Sequence, residues 1–123
     1  MVERNRDERH LGQASVELVA GLPALLLAAL VALQLFASGY AQSLADGAAE
    51  AGALALAAGR PARDAARAAL PGWSRDRAAI SVRRGRDPQL ASVVVRLRPP
   101  SPIPALAERL EVSSQAWVRR PED

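Results

Sequence analysis

From Leu18 to Ala45 the chain carries no charged residue, and the last charge before that stretch is an acid, Glu17, five positions after Gly12. As a helix, Leu18 to Ala41 alone extends about 36 Å, enough to cross a hydrocarbon layer of roughly 30 Å with some tilt. Much of the apolar content is spent in this first third, which leaves little for a core downstream. The segment is therefore expected to span a membrane, with Glu17 at its lip, where a carboxylate needs a reason.

Residues 1–12 mix Arg4, Arg6 and Arg9 with Glu3, Asp7 and Glu8 and contain almost nothing apolar. They read as a leader, and the three arginines favour a cytoplasmic N-terminus because nothing basic competes on the other side until Arg60. A secretory signal would have a shorter apolar region, although Ala37-Ser38-Gly39 weakly imitates its cleavage site. Pro23 predicts a kink in the early turns. Past the apolar run, the alanine-rich stretch from Gln42 to Ala58 extends the same helix to Gly59, and Pro61 stops it. Ala41, Ala45 and Ala49 recur at four-residue spacing, as do Gly47, Ala51 and Ala55 on another stripe, so a second helix is expected to pack closely there.

Residues 60–118 read as a small extracytoplasmic α+β domain and 119–123 as a frayed tail. Pro61 to Leu70 is a short amphipathic helix closed by Pro71-Gly72. Ala79 to Arg84 and Leu90 to Arg98 alternate as two strands of a hairpin, with Ile80, Val82, Val93, Val95 and Leu97 inward. Pro99 to Pro104 is a stiff connection, Ala105 to Leu110 a helical turn, and Glu111 to Val118 a third strand with Val112, Ala116 and Val118 facing the core. Leu70, Trp73, Ile103, Leu106, Leu110 and Trp117 complete the candidate core. The fold class is α+β: a long N-terminal transmembrane helix continuing outside the membrane, then about three antiparallel strands with one or two short helices.

The residue inventory argues against an enzyme. There is no cysteine, and the only histidine, His10, lies in the leader, so thiolate chemistry, histidine-based metal sites and histidine general bases are all missing beyond it. No catalytic, cofactor or metal residues are assigned. Asp46 and Glu50 share a helix face but have no third ligand nearby, and read as a solvated face. All 16 basic residues are arginine against 13 acids, a net +3, with the two signs interleaved. The densest cluster, Arg83-Arg84-Gly85-Arg86, reads as a turn between strands. Nucleic acid is not an expected partner, since only Trp73 and Trp117 are available downstream for stacking. Phe36 and Tyr40 read as interfacial anchors, and Gln34 as a mid-membrane hydrogen-bonding group.

Gly12 followed by Gln13-Ala14-Ser15-Val16-Glu17, an apolar helix with Pro23, then Tyr40-Ala41-Gln42 and Ala48-Ala49-Glu50-Ala51-Gly52-Ala53, resembles the TadE-like family of pilin-related tight-adherence (Flp, type IV-like) pilus assembly proteins. The resemblance is strongest from Gly12 to Gly59 and is one of outline beyond it. It implies a minor pilin cut by a prepilin peptidase between Gly12 and Gln13, with the helix retained. The other partners it implies are membrane lipid, pilin-like subunits and an assembly platform. It also implies a role for Glu17, pairing with the new α-amine of a neighbour's Gln13, because an unpaired carboxylate in lipid is costly or takes up a proton. The alternative is a Glu17 solvated among headgroups. An uncut, signal-anchored envelope protein displaying a small binding domain is the rival for the whole chain. The C-terminal domain speaks against a major pilin, which in such pili is shorter and mostly helical.

Overall fold

Helix α1 runs from Val2 to Ala57, 56 residues with Pro23 inside it. It belongs to a computed structural model that describes residues 2–102, 104–107 and 109–121, with side chains described from Gly12 onward except at 104 and 107. The chain divides into two compact units, Met1–Gln34 and Leu35–Asp123. The backbone shows no division between the expected leader, 1–12, and the helix expected from Gln13, because α1 runs through both. Residues 2–11 contain neither glycine nor proline, so nothing in them breaks a helix.

The first unit is α1 alone. From Gly12 to Leu33 every described residue is exposed, including Leu18 at 70% and Leu26 at 63%. The helix is long and apolar enough to cross a membrane.

In the second unit α1 changes character. Ala41, Ala45, Ala48, Ala49, Gly52 and Ala53 are buried, while Ser43, Asp46, Gly47, Glu50 and Leu54 are exposed. This is the three- and four-residue spacing of one helix face turned to a core. The helix ends as expected at Gly59, whose φ of +74° suits a residue without a Cβ. Arg60 N donates to Ala55 O at 2.8 Å and Gly59 N to Leu56 O at 3.1 Å, the paired bonds of a Schellman motif. Helix α2, Ala62–Ala68, follows at once and buries Ala62 and Ala66.

Strands β1 (Ala78–Arg84), β2 (Leu90–Leu97) and β3 (Val112–Arg119) form an antiparallel sheet in the order β1-β2-β3. The register pairs Ile80 with Val95 and Val82 with Val93, and Val93 with Ala116 and Ala91 with Val118. Because side chains alternate, one face carries Ile80, Val93, Val95, Leu97, Val112, Ala116 and Val118. The core lies where this face meets the alanines of α1, Ala62 and Ala66 of α2, and Leu70. The other face carries Ser81, Arg83, Ser92, Val94, Gln115 and Trp117. There Ser92 is buried and its Oγ accepts a bond from Gln115 Nε2 at 2.8 Å.

Several expectations need correction. Trp117 is 59% exposed, because its place between the inward Ala116 and Val118 puts it on the outer face. Trp73 is 44% exposed and sits on an unexpected helix α3, Gly72–Arg75, started by Pro71 and held by Ser74 Oγ donating to Pro71 O at 2.8 Å. Val82, on an edge strand, and Leu106, on helix α4 (Pro104–Ala107), are also exposed. Ile103 lies outside the described residues. The tail is held further than expected: Arg119 is in β3, and Arg120 N donates to Gln89 O at 2.6 Å.

Gly52 is the tightest point of the core. A Cβ there would meet Val93 Cγ1 at 2.8 Å, Ala62 O at 3.2 Å and Ala66 Cβ at 3.3 Å. Gly52→Ala is expected to destabilise the second unit by about 1–3 kcal/mol through overpacking. Gly47→Ala, where nothing lies within 4 Å, is expected to add roughly 0.5–1 kcal/mol of helix stability. Urea unfolding followed by tryptophan fluorescence, with both indoles in this unit, distinguishes the two signs.

Candidate functional site

Two groups of polar residues on α1 are candidates for function, one in each unit. In the first unit Gly12, Gln13 and Glu17 lie on exposed helix. Gln13 and Glu17 are one turn apart on the same side, about 6 Å along the axis. Glu17 has no hydrogen-bond or ion-pair partner among the described residues, and the apolar side chains that follow it are uncovered. The backbone through Gly12 is helical, not extended.

The expected helix-packing residues, Ala41, Ala45 and Ala49, are fully buried, but in the chain's own core. Their small size admits the sheet instead of another subunit's helix. A helix does approach α1 closely, but it is α2 and the contact is at Gly52.

Beside those alanines α1 holds β3 through polar groups. Gln42 Nε2 donates to Asp46 Oδ1 at 2.9 Å and lies 3.3 Å from Ser113 O. The Ser114 hydroxyl donates to the Asp46 carboxylate, and this bond, with the one from Gln42, holds its pKa below the usual carboxylate range. Gln42 and Asp46 at i,i+4 were a visible signal for a pair. Their partner strand, 71 residues away in sequence for Ser113, was not visible. Asp46 and Glu50 are both exposed, as expected of a solvated face, and Asp46 also bridges helix and strand. Among the described residues no cluster of three potential metal ligands occurs.

Tyr40 and Trp73 stack, with ring centroids 6.2 Å apart and planes at 21°. Phe36, one turn earlier on α1, is 80% exposed. Together they form an aromatic patch where the apolar run of α1 gives way to the alanine face.

Comparison with protein families, with curated proteins and with solved structures finds no match to this chain.

The bridge at Asp46 sets a pH dependence. A carboxylate whose pKa is lowered by folding stabilises the fold above its unfolded pKa of about 4, and that contribution disappears as pH falls through the lower folded value. The second unit should therefore lose stability on acidification below about pH 4, by a modest amount because the carboxylate stands in water. Asp46→Asn should flatten this part of the profile, measured by urea unfolding between neutral pH and about pH 3.

Proposed function

We propose that this chain is a minor-pilin-like membrane protein acting in assembly of a tight-adherence, type IV-like pilus. A prepilin peptidase cuts it after Gly12, α1 is retained as a single-pass anchor, and the second unit is displayed outside the cytoplasmic membrane. The observation that carries this reading is the change of surface along one helix. Large apolar side chains are exposed through the first unit, and small ones are buried under a three-stranded sheet in the second. One helix thus serves as membrane anchor and as spine of a small domain.

Other features support it. Arg4, Arg6 and Arg9 precede the apolar run and keep that end cytoplasmic. Phe36, Tyr40 and Trp73 are residues that favour the lipid–water boundary, and the Tyr40–Trp73 stack supports a reading in which the folded domain begins at that level. Glu17 gains its reason from the cut. Once Gln13 is an N-terminus, its ammonium group is a partner for a carboxylate in low dielectric, and a neighbour's Glu17 is matched with it in one axial register only. The new helix end, with its partial positive charge, adds to the attraction.

One observation favours the rival, an uncut signal-anchored envelope protein with a small binding domain: the helical backbone at Gly12 must unwind before a peptidase can hold it. The mature N-terminus separates the two. Produced with a prepilin peptidase in the membrane, the chain is expected to begin at Gln13 by intact mass. A chain that still begins at Met1 would sink the pilin-like reading.

Glu17→Ala is expected to leave membrane insertion unchanged and to lower the amount of this protein in sheared pilus fractions several-fold, read by immunoblot of both fractions. Equal incorporation would remove Glu17 from assembly.

A further inference from the structure

Three arginines from distant parts of the second unit line one cavity of about 870 Å³: Arg60, Arg84 and Arg120. Each backbone is pinned. Arg60 closes the Schellman motif after α1, Arg84 is the last residue of β1 and pairs with Ala91, and Arg120 is bonded to Gln89 O. Pro61 and Pro88 stiffen the wall. Among the described residues no acid lines the cavity, and none of the three guanidinium groups has a partner. Elsewhere in the chain acids and arginines are interleaved, as at Arg63-Asp64, Arg75-Asp76 and Arg86-Asp87. The described lining of the cavity brings three arginines together, as much positive charge as the whole chain has net.

We propose that this cavity binds a multivalent oxyanion, a ligand bearing two or three clustered phosphate or carboxylate groups. Guanidinium binds either group through two parallel hydrogen bonds and stays charged at any physiological pH. Three like charges gathered at one place repel each other, and a multivalent anion removes that cost. The C-terminal end of α1 works against an anion, but its half charge is outweighed by three full ones, and its last carbonyls are occupied by the Schellman bonds. The site does not depend on the pilus reading.

Isothermal titration of the full chain in an uncharged detergent, with sodium tripolyphosphate in one arm and citrate in the other, tests this. Binding at about 10–100 µM in low salt is expected, weakening as salt rises. The stronger arm assigns phosphate or carboxylate. R60Q, R84Q and R120Q should each weaken binding about fivefold or more. R67Q on α2 and R83Q, adjacent to Arg84 but on the opposite sheet face, should leave it within about twofold. No binding in either arm, or equal loss in the control variants, overturns the proposal. So does binding that appears only when Glu122 and Asp123 are deleted, since the chain's own acidic end would then be the occupant.

Discussion

The second unit depends on how closely α1 can approach β2. Val93, Val95 and Leu97 supply the large side chains of the core, and the helix opposite them offers only alanine and glycine. Alanines bury little area themselves, but they let the strand's branched side chains reach the helix backbone and lose their water, worth about 1.5–3 kcal/mol for each fully buried valine or leucine. A larger residue at Gly52 would hold the layers apart and forfeit several such contacts together. The polar bridge from Gln42 and Asp46 to Ser113 and Ser114 sits beside this seam and fixes β3 against the helix where apolar area is thin.

The same requirement explains why α1 is written in two vocabularies. Before Phe36 it uses leucine and valine in all directions, a surface that lowers its free energy only when something apolar surrounds it. From Ala41 onward it is small on one side and polar on the other, the pattern of a helix with a core on one side and water on the other. No break in the backbone marks the change. Residue size and polarity do, at the aromatic patch of Phe36, Tyr40 and Trp73.

Much of this was legible in sequence because it is periodic. The strands alternate cleanly enough that Val93, Val95, Leu97, Val112, Ala116 and Val118 were assigned inward, and Gly59 with Pro61 marked the helix end. The same alternation puts Trp117 outside the core: with Ala116 and Val118 inward, the residue between them has to face out. Helix α3 leaves no signal in the sequence, because four residues are too few to show a period. The stripe of Ala41, Ala45 and Ala49 is legible as a packing face, but spacing identifies only a smooth surface and says nothing about whether a sheet or a helix will lie on it. Long-range pairs such as Asp46 with Ser114 leave no local trace at all. For the candidate site, the Gly12–Glu17 spacing is visible in the sequence, whereas the helical backbone at Gly12 is not, because mixed charges without an apolar period leave no sign of a helix.

Charge is placed in the second unit with the same economy. Helix α1 has no basic residue in its last turn to face its own C-terminal carbonyls. The positive charge near that end comes from outside the helix: Arg60 just beyond it, Arg84 from the end of β1, and Arg120 from beyond β3. One arginine would satisfy a helix end, since the stabilisation falls off within a turn and amounts to about 0.3–1 kcal/mol at an exposed site. Three are more than the helix can use. Their convergence, without an acid in the described lining, is better matched to an anion that is not part of the described chain. It also sets this end of the domain apart from the Asp46 bridge, where a carboxylate is already satisfied by a serine hydroxyl and an amide. A ligand bound at the arginines would join the end of α1, the β1–β2 hairpin and the segment after β3, and would stabilise the domain by an amount that grows with its affinity.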